Sequence, residues 1–246
     1  MPGSNVNDRI FAVILAGGTA SRFGRLKQIE PVGGTCLLGI VVGHALDCGG
    51  IEKVILVLGH EASAVEKALG ETADHKKLKI VVNDEYRDGL STSLRTGLAA
   101  AQSEHCDAVI FLLGDMPMID TGLLDTMIDR YRSSSCALCY LKMNDRPGHP
   151  IIARKDLFGE FVQVKGDIGG REIVRRYAAK SEHTGRGAYT DHAGHAELPG
   201  DDKHAENARR ALAVEIGHTG DLHQLDINDI NDLETYLSIT RRRDDA

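Results

Sequence analysis

A three-layer α/β fold around a doubly wound, mostly parallel sheet is the architecture this sequence predicts, and three observations carry it. Four apolar runs, Ile10–Leu15, Lys53–Gly59, Leu78–Asn83 and Ala108–Leu113, are separated by segments with helical patterning. Strands alternating with helices at that spacing make βαβ units and a parallel sheet. The runs are apolar almost throughout rather than at every second residue, as strands covered on both faces are. At 246 residues and 42% hydrophobic composition, the chain is also long enough to bury a full core.

The remaining elements follow in order. Cys36–Ala45 and Ser63–Leu69 pattern as helices after the first and second strands. Ser91–Ala101 is a helix with hydroxyl residues at its start, so a Ser or Thr cap is expected. Thr121–Arg132 is amphipathic, and Ala137–Met143 is a further strand. Gly148–Ala153 reads as a short strand with a Gly-His-Pro turn at its head, and Gly169–Ala178 as a helix. Residues 180–223 are polar and hold His183, His192, His195, His204, His218 and His223, with a short helix expected over Ala205–Val214. A segment of that length inside one domain is expected to be an insertion or a lid. A helix from about Asp229 closes the fold, giving one domain over residues 1–240 and a charged, frayed tail at 241–246.

Composition excludes several classes. A formal charge of −7 argues against a nucleic-acid partner, which needs a basic face. No apolar run has the length of a membrane span, and Met1–Arg9 lacks signal-peptide character. The five cysteines are odd in number and scattered, as suits reduced thiols, so a cytoplasmic location is expected. Cys136 and Cys139 have C-x-x-C spacing, but residues three apart on a strand face opposite ways.

Chemistry concentrates at four places. After the first strand comes Gly17-Gly18, then Ser21, Arg22, Gly24 and Lys27. The glycines allow a sharp turn with N–H groups close to a ligand, and the cations suit a triphosphate. The spacing is neither that of a P-loop nor that of a dinucleotide fingerprint. Asp115 stands just past the fourth apolar strand, where open α/β sheets place ligands. It reads either as a magnesium ligand, since Mg²⁺ takes one or two carboxylates plus phosphate oxygens, or as the cap of the next helix. Asn83–Gly97 reads as a base- or anion-recognition turn or as a well-capped helix start, with Arg95 left over by the second reading. Asp226 and Asn228 share a side of an extended segment and read as further metal ligands or as caps. His192 and His195 have a spacing that could take up a metal adventitiously, but with no partner motif they read as solvated loop residues.

Together these pieces resemble the MobA-like nucleotidyltransferases, which attach a nucleoside monophosphate to the molybdenum cofactor, and within them the molybdenum cofactor cytidylyltransferases. The carriers are LAGGTASRFGRLKQ (15–28), NDEYRDGLSTSLRTGL (83–98), LLGDMPMID (112–120), RPGHPIIARKDLF (146–158), GDIGGREIV (166–174) and LDINDINDLE (225–234). The resemblance spans about Ile10 to Leu237 and implies a nucleotide-diphospho-sugar transferase-like fold. It implies that Leu15, Ala16, Gly17, Gly18, Arg22 and Lys27 grip the nucleotide, with Arg22, Lys27 and Asp115 catalytic. Asp115 would hold Mg²⁺ with Asn228 or Asp226. Asn83, Gly89, Ser91 and Ser93 would lie near the base, and Gly148, His149, Pro150 and Asp167 near the pterin acceptor. The implied reaction takes CTP and molybdenum-bound molybdopterin to the cytosine dinucleotide and pyrophosphate, with a molybdoenzyme as eventual recipient.

Two departures stand out. Gly17-Gly18 follows Leu-Ala, the form typical of the guanylyltransferase relatives, which leaves GTP beside CTP. The His-rich segment is longer than the family's linker. Two rivals therefore stand: a nucleotidyltransferase with another base or acceptor, and a molybdopterin-binding delivery chaperone without effective catalysis.

Overall fold

The first strand, β1 (Ile10–Ala16), is buried at every residue and sits in the middle of a seven-stranded sheet. The structure is a computed structural model and describes residues 5–18, 25–143, 146–168, 170–183, 211–215 and 226–244. A short hairpin, β2 (Pro31–Val32) and β3 (Thr35–Cys36), leads into α1 (Leu37–Asp47). Then follow β4 (Lys53–Leu58), α2 (Ala62–Leu69), β5 (Leu78–Val82), α3 (Leu90–Gln102), β6 (Ala108–Leu113) and α4 (Thr121–Ser133). The second half adds β7 (Leu138–Met143), β8 (Arg146–Arg154), α5 (Phe158–Val162), α6 (Arg171–His183), β9 (Ala211–Glu215) and α7 (Ile230–Asp244).

The sheet order is β5-β4-β1-β6-β8-β7-β9, and only β8 runs against the rest. Alternation along β1 splits the core in two. Ile10, Ala12 and Ile14 pack with α1 and α4 residues such as Leu38, Val42, Leu124 and Met127 on one face. Phe11, Val13 and Leu15 pack with Leu94, Leu98, Phe161 and Val174 from α3, α5 and α6 on the other. Both faces are covered, which is why the parallel strands read as continuous apolar runs. The parallel strands β5, β4, β1 and β6 end on one edge, and the predicted glycine loop and Asp115 both leave from it. Among the described residues no helix is long and apolar enough to cross a membrane.

Four local expectations change. Helix α3 has no hydroxyl cap: Gly89 is its N-cap residue, at φ 103, and no side chain of that residue is available to bond. The Gly-His-Pro stretch lies within β8 rather than heading it, and the ladder skips from Tyr140↔Ile151 to Leu141↔Gly148. His149 and Pro150 are the residues passed over, as a Pro without an N–H favours. In place of a helix reaching Val214, Ala211–Glu215 forms the edge strand β9, beside β7. Its alternation of small and branched apolar residues suits a sheet edge. Helix α7 continues to Asp244, through the arginines expected to form a tail. Arg22 and the histidines 192, 195, 204, 218 and 223 lie outside the described residues.

Candidate active site

The strand ends bring three chain segments together around Lys27. Its ammonium donates to Asp115 Oδ2 at 2.7 Å and to the Ile227 carbonyl at 2.9 Å. Gly114 allows this approach: a Cβ there would lie 2.9 Å from the Ala16 Cβ and 3.0 Å from Leu38 Cδ1. The Ile227 N–H donates to the Asp115 carbonyl at 2.9 Å, so the segment carrying Asp226 and Asn228 is tied directly to the metal candidate.

Asp115 Oδ1 is buried and has no hydrogen-bond partner. A buried carboxylate oxygen left open is costly unless something else approaches it. Asp226 stands near enough that burial and the Asp115 charge push its carboxyl up to about 6. The capping reading of Asp115 fails, and that of the Asp226–Asp229 stretch is met by Asp229 rather than by Asp226. Asp120 caps α4 by accepting from the Leu123 N–H at 2.9 Å, and Asp229 accepts from the Asn231 and Asp232 N–H groups at the start of α7. Asn228 is exposed and donates its amide to the Asp226 carbonyl at 3.0 Å. Asp115 and Asp226 are thus the two carboxylates that converge. Among the described residues no cluster of three or more His, Cys, Asp or Glu forms. Two carboxylates with an open oxygen are a donor set that fits Mg²⁺, which keeps waters and substrate phosphate oxygens as its other ligands.

The glycine loop is held from below by Gln28, a residue the sequence patterns did not single out. Its amide donates to the carbonyls of Ala16, at 3.3 Å, and Gly18, at 3.0 Å, and its Oε1 is buried without a partner. Those bonds turn two loop carbonyls inward. Leu15 and Ala16 are themselves buried core residues, while the space at Gly18 is open. Gly17 is confined: a Cβ would lie 2.8 Å from Ser93 Oγ.

Asn83 is 3% exposed and donates to Thr92 Oγ1 at 2.8 Å and Ser93 Oγ at 3.0 Å, while its Oδ1 accepts from the Glu85 N–H. It therefore fixes the start of α3 and aims Ser93 at the loop. Ser91 points elsewhere, into a groove of about 440 Å³ with Arg95, Lys165 and Gly166 among its walls. Arg95 is accounted for there by its bond to the Val164 carbonyl at 3.1 Å. Gly89 and Asp167 meet: Asp167 Oδ1 accepts from the Leu90 N–H at 3.1 Å.

Gly148, His149 and Pro150, within β8, are buried, and the His149–Pro150 peptide is cis. His149 Nδ1 and Arg171 Nε have no hydrogen-bond partners. Burial, with the Arg171 charge nearby, pushes His149 down to about 3. Arg171 acts in the same sense on Asp226, partly opposing its upward shift. Arg171 lies inside the GDIGGREIV motif, whose residue types alone gave it no separate role.

Residues 12–182 match the model of the MobA-like NTP transferase domain. The chain belongs to that family. The Escherichia coli K12 molybdenum cofactor cytidylyltransferase is 28% identical over 155 residues, 63% of this chain and 74% of the relative. A probable molybdenum cofactor guanylyltransferase from Thermococcus sibiricus is 26% identical over 144 residues, 58% of this chain and 67% of the relative. Among solved structures, Rv0371c of Mycobacterium tuberculosis H37Rv in complex with manganese has a TM-score of 0.63 at 26% identity, covering 94% of this chain and 98% of the other. A nucleotidyl transferase from Methanothermobacter aligns with a TM-score of 0.69 at 23% identity, covering 96% and 99%, and shares the fold. The protein is a nucleotidyltransferase with the nucleotide-diphospho-sugar transferase fold.

Proposed function

We propose that this nucleotidyltransferase transfers CMP from CTP to a molybdopterin-type acceptor, with Mg²⁺ as cofactor, and releases pyrophosphate. The observation that carries the reading is the buried, unpartnered Asp115 Oδ1 beside Lys27 at the ends of β1 and β6. An acceptor phosphate oxygen forms the new bond to the α-phosphorus, and the bridge from α- to β-phosphorus breaks. That exchange needs alignment and charge neutralisation, not a protein nucleophile.

Magnesium bound by Asp115 and Asp226, with Asn228 adjacent, would neutralise phosphate charge. The chain's own groups do the rest. Lys27 has three N–H donors and uses two on Asp115 and Ile227, so one is left for a phosphate oxygen. Gln28, by holding the Ala16 and Gly18 carbonyls, keeps the open side of the loop for N–H groups to meet anionic oxygens. Arg22 would add charge on the departing pyrophosphate. Gly148, His149, Pro150 and Asp167 are assigned to the acceptor side, with the Arg171 cation within electrostatic reach of His149.

The manganese complex of Rv0371c and the cytidylyltransferase relative support this reading. The Gly17-Gly18 pair and the guanylyltransferase relative favour a second one, GMP transfer from GTP. A thermal shift with CTP, GTP, ATP and UTP, each with and without Mg²⁺, tests both. Ligand well above its dissociation constant stabilises the fold that binds it. A magnesium-dependent rise with CTP alone supports the cytidylyltransferase. A rise with GTP alone moves the reading to the guanylyltransferase. No rise with any nucleotide counts against the triphosphate site.

A further inference from the structure

Lys27 and the metal candidate share one carboxylate. The Lys27 ammonium donates to Asp115 Oδ2 at 2.7 Å, while Oδ1 of the same group is buried and open. The lysine side chain is 15% exposed and the aspartate 23%, so solvent and salt screen the pair only in part. A second Lys27 bond, to the Ile227 carbonyl at 2.9 Å, holds the ammonium against the segment that carries Asp226. Ile227 is itself buried in an apolar cluster with Leu37, Met118, Leu233 and Tyr236, and its N–H donates to the Asp115 carbonyl. Lys27 is therefore fixed from two sides. A positive charge is built into the place where a divalent cation would bind.

Two cations on one carboxylate oppose each other. A cation beside a carboxylate lowers its affinity for the simplest further cation, the proton, by about 10–10³-fold. A divalent ion at Oδ1 carries twice the proton's charge and meets correspondingly more repulsion. A triphosphate reverses the balance: its oxygens take the third Lys27 N–H and bring more negative charge than the lysine cancels. We propose that Lys27 suppresses divalent-metal binding by the nucleotide-free site, so that metal and triphosphate enter together. The inference rests on the nucleotidyltransferase reading above and adds that the lysine works against the metal when no phosphate is present. Loss of Lys27 then strengthens metal binding. A lysine that served only to clamp the Asp226 segment would do the reverse, since its loss would free that segment and weaken the site.

Mn²⁺ titration of the nucleotide-free full chain, read by the electron paramagnetic resonance signal of the unbound ion, tests it on wild type, Lys27→Gln and Lys27→Arg. Lys27→Gln removes the charge and keeps an N–H donor, so it should bind Mn²⁺ at least about tenfold more tightly than wild type. Lys27→Arg keeps the charge and should bind as weakly as wild type. The gain should vanish in Lys27→Gln/Asp115→Asn, where the shared charge is gone. Lys27→Met, of similar length and uncharged, gives the same reading if Lys27→Gln does not fold. Thermal unfolding supplies a second readout: Mn²⁺ alone should raise the midpoint of Lys27→Gln, and that of wild type only together with CTP. Equal or weaker Mn²⁺ binding by Lys27→Gln overturns the proposal and leaves Lys27 a clamp. A gain that survives Asp115→Asn overturns it as well, because the ion then sits elsewhere. No Mn²⁺ binding by any of these proteins removes the metal site and the proposal together. The titration contains no nucleotide, so it stands apart from the transferase reading, which fails instead if no nucleotide shifts the wild-type midpoint.

Discussion

Asp167 Oδ1 accepts the backbone N–H of Leu90 at 3.1 Å across 77 residues of sequence, and so supplies the cap that α3 lacks locally. Gly89, at φ 103, makes the approach possible, since a Cβ there would lie 2.8 Å from the Gly166 carbonyl carbon. The motif that opens α3 and the motif that precedes α6 are thereby one structural unit. Loss of a capping side chain costs about 1 kcal/mol. Asp167→Ala should therefore lower stability by roughly that amount in chemical denaturation. Gly89→Ala should lower it further, because it adds a clash to an unfavourable φ. Equal stability of Gly89→Ala and wild type would show that the two motifs are not locked.

Asp115→Asn preserves an oxygen for Lys27 and removes the charge that the metal would meet. Pyrophosphate release from CTP in the presence of acceptor should fall by about 10²–10³, the range seen when one preorganised electrostatic group is lost. An Asp115→Asn enzyme within a few-fold of wild type would remove Asp115 from the chemistry.

His149 gives the fold a defined acid sensitivity. Folded, it stays neutral down to about pH 3, whereas a free histidine takes a proton near 6.5. Between those values the unfolded chain binds one more proton than the fold, so stability falls as the pH falls, by up to about 1.4 kcal/mol per pH unit. Above the free-histidine value the contribution is complete and flat. His149→Gln should remove that portion of the slope, so its stability relative to wild type rises from pH 7 to pH 5. Parallel pH profiles for the two proteins would place His149 in a wetter site than the structure gives it.

Legibility in the sequence followed the range of each interaction. The strands β1, β4 and β6 are readable because burial on both faces writes itself as a run, and Asp115 because a carboxylate after such a run is conspicuous. The cap of α3 was not readable: Asp167 is 77 residues away, and the nearby hydroxyls of Ser91, Thr92 and Ser93 offered a plausible local alternative. Gln28 is a polar residue in a polar loop, and only its 4% exposure and its two carbonyl partners reveal its work. Strand β9 is not legible because four apolar residues and a glutamate look alike in an edge strand and in a helix turn.

Two helical glycines make opposite forecasts from the same substitution. Gly97 faces the sheet from α3, and a Cβ there would sit 2.4 Å from Val13 Cγ1 and 2.8 Å from Val57 Cγ2. Those valines are buried strand residues of β1 and β4 with no room to turn away, so Gly97→Ala must push α3 off the sheet. Overpacking of this kind costs about 1–3 kcal/mol. Because α3 also carries Ser93 against Gly17, the same shift should weaken CTP binding. Gly43 lies in α1, and a Cβ there would meet nothing within 4 Å. Gly43→Ala therefore gains helix propensity without a clash and should stabilise the protein by about 0.5–1 kcal/mol. Thermal or urea unfolding of the two variants reads both signs at once. If Gly97→Ala unfolds no earlier than wild type, α3 lies farther from β1 and β4 than described, and the placement of Ser93 at the loop falls with it.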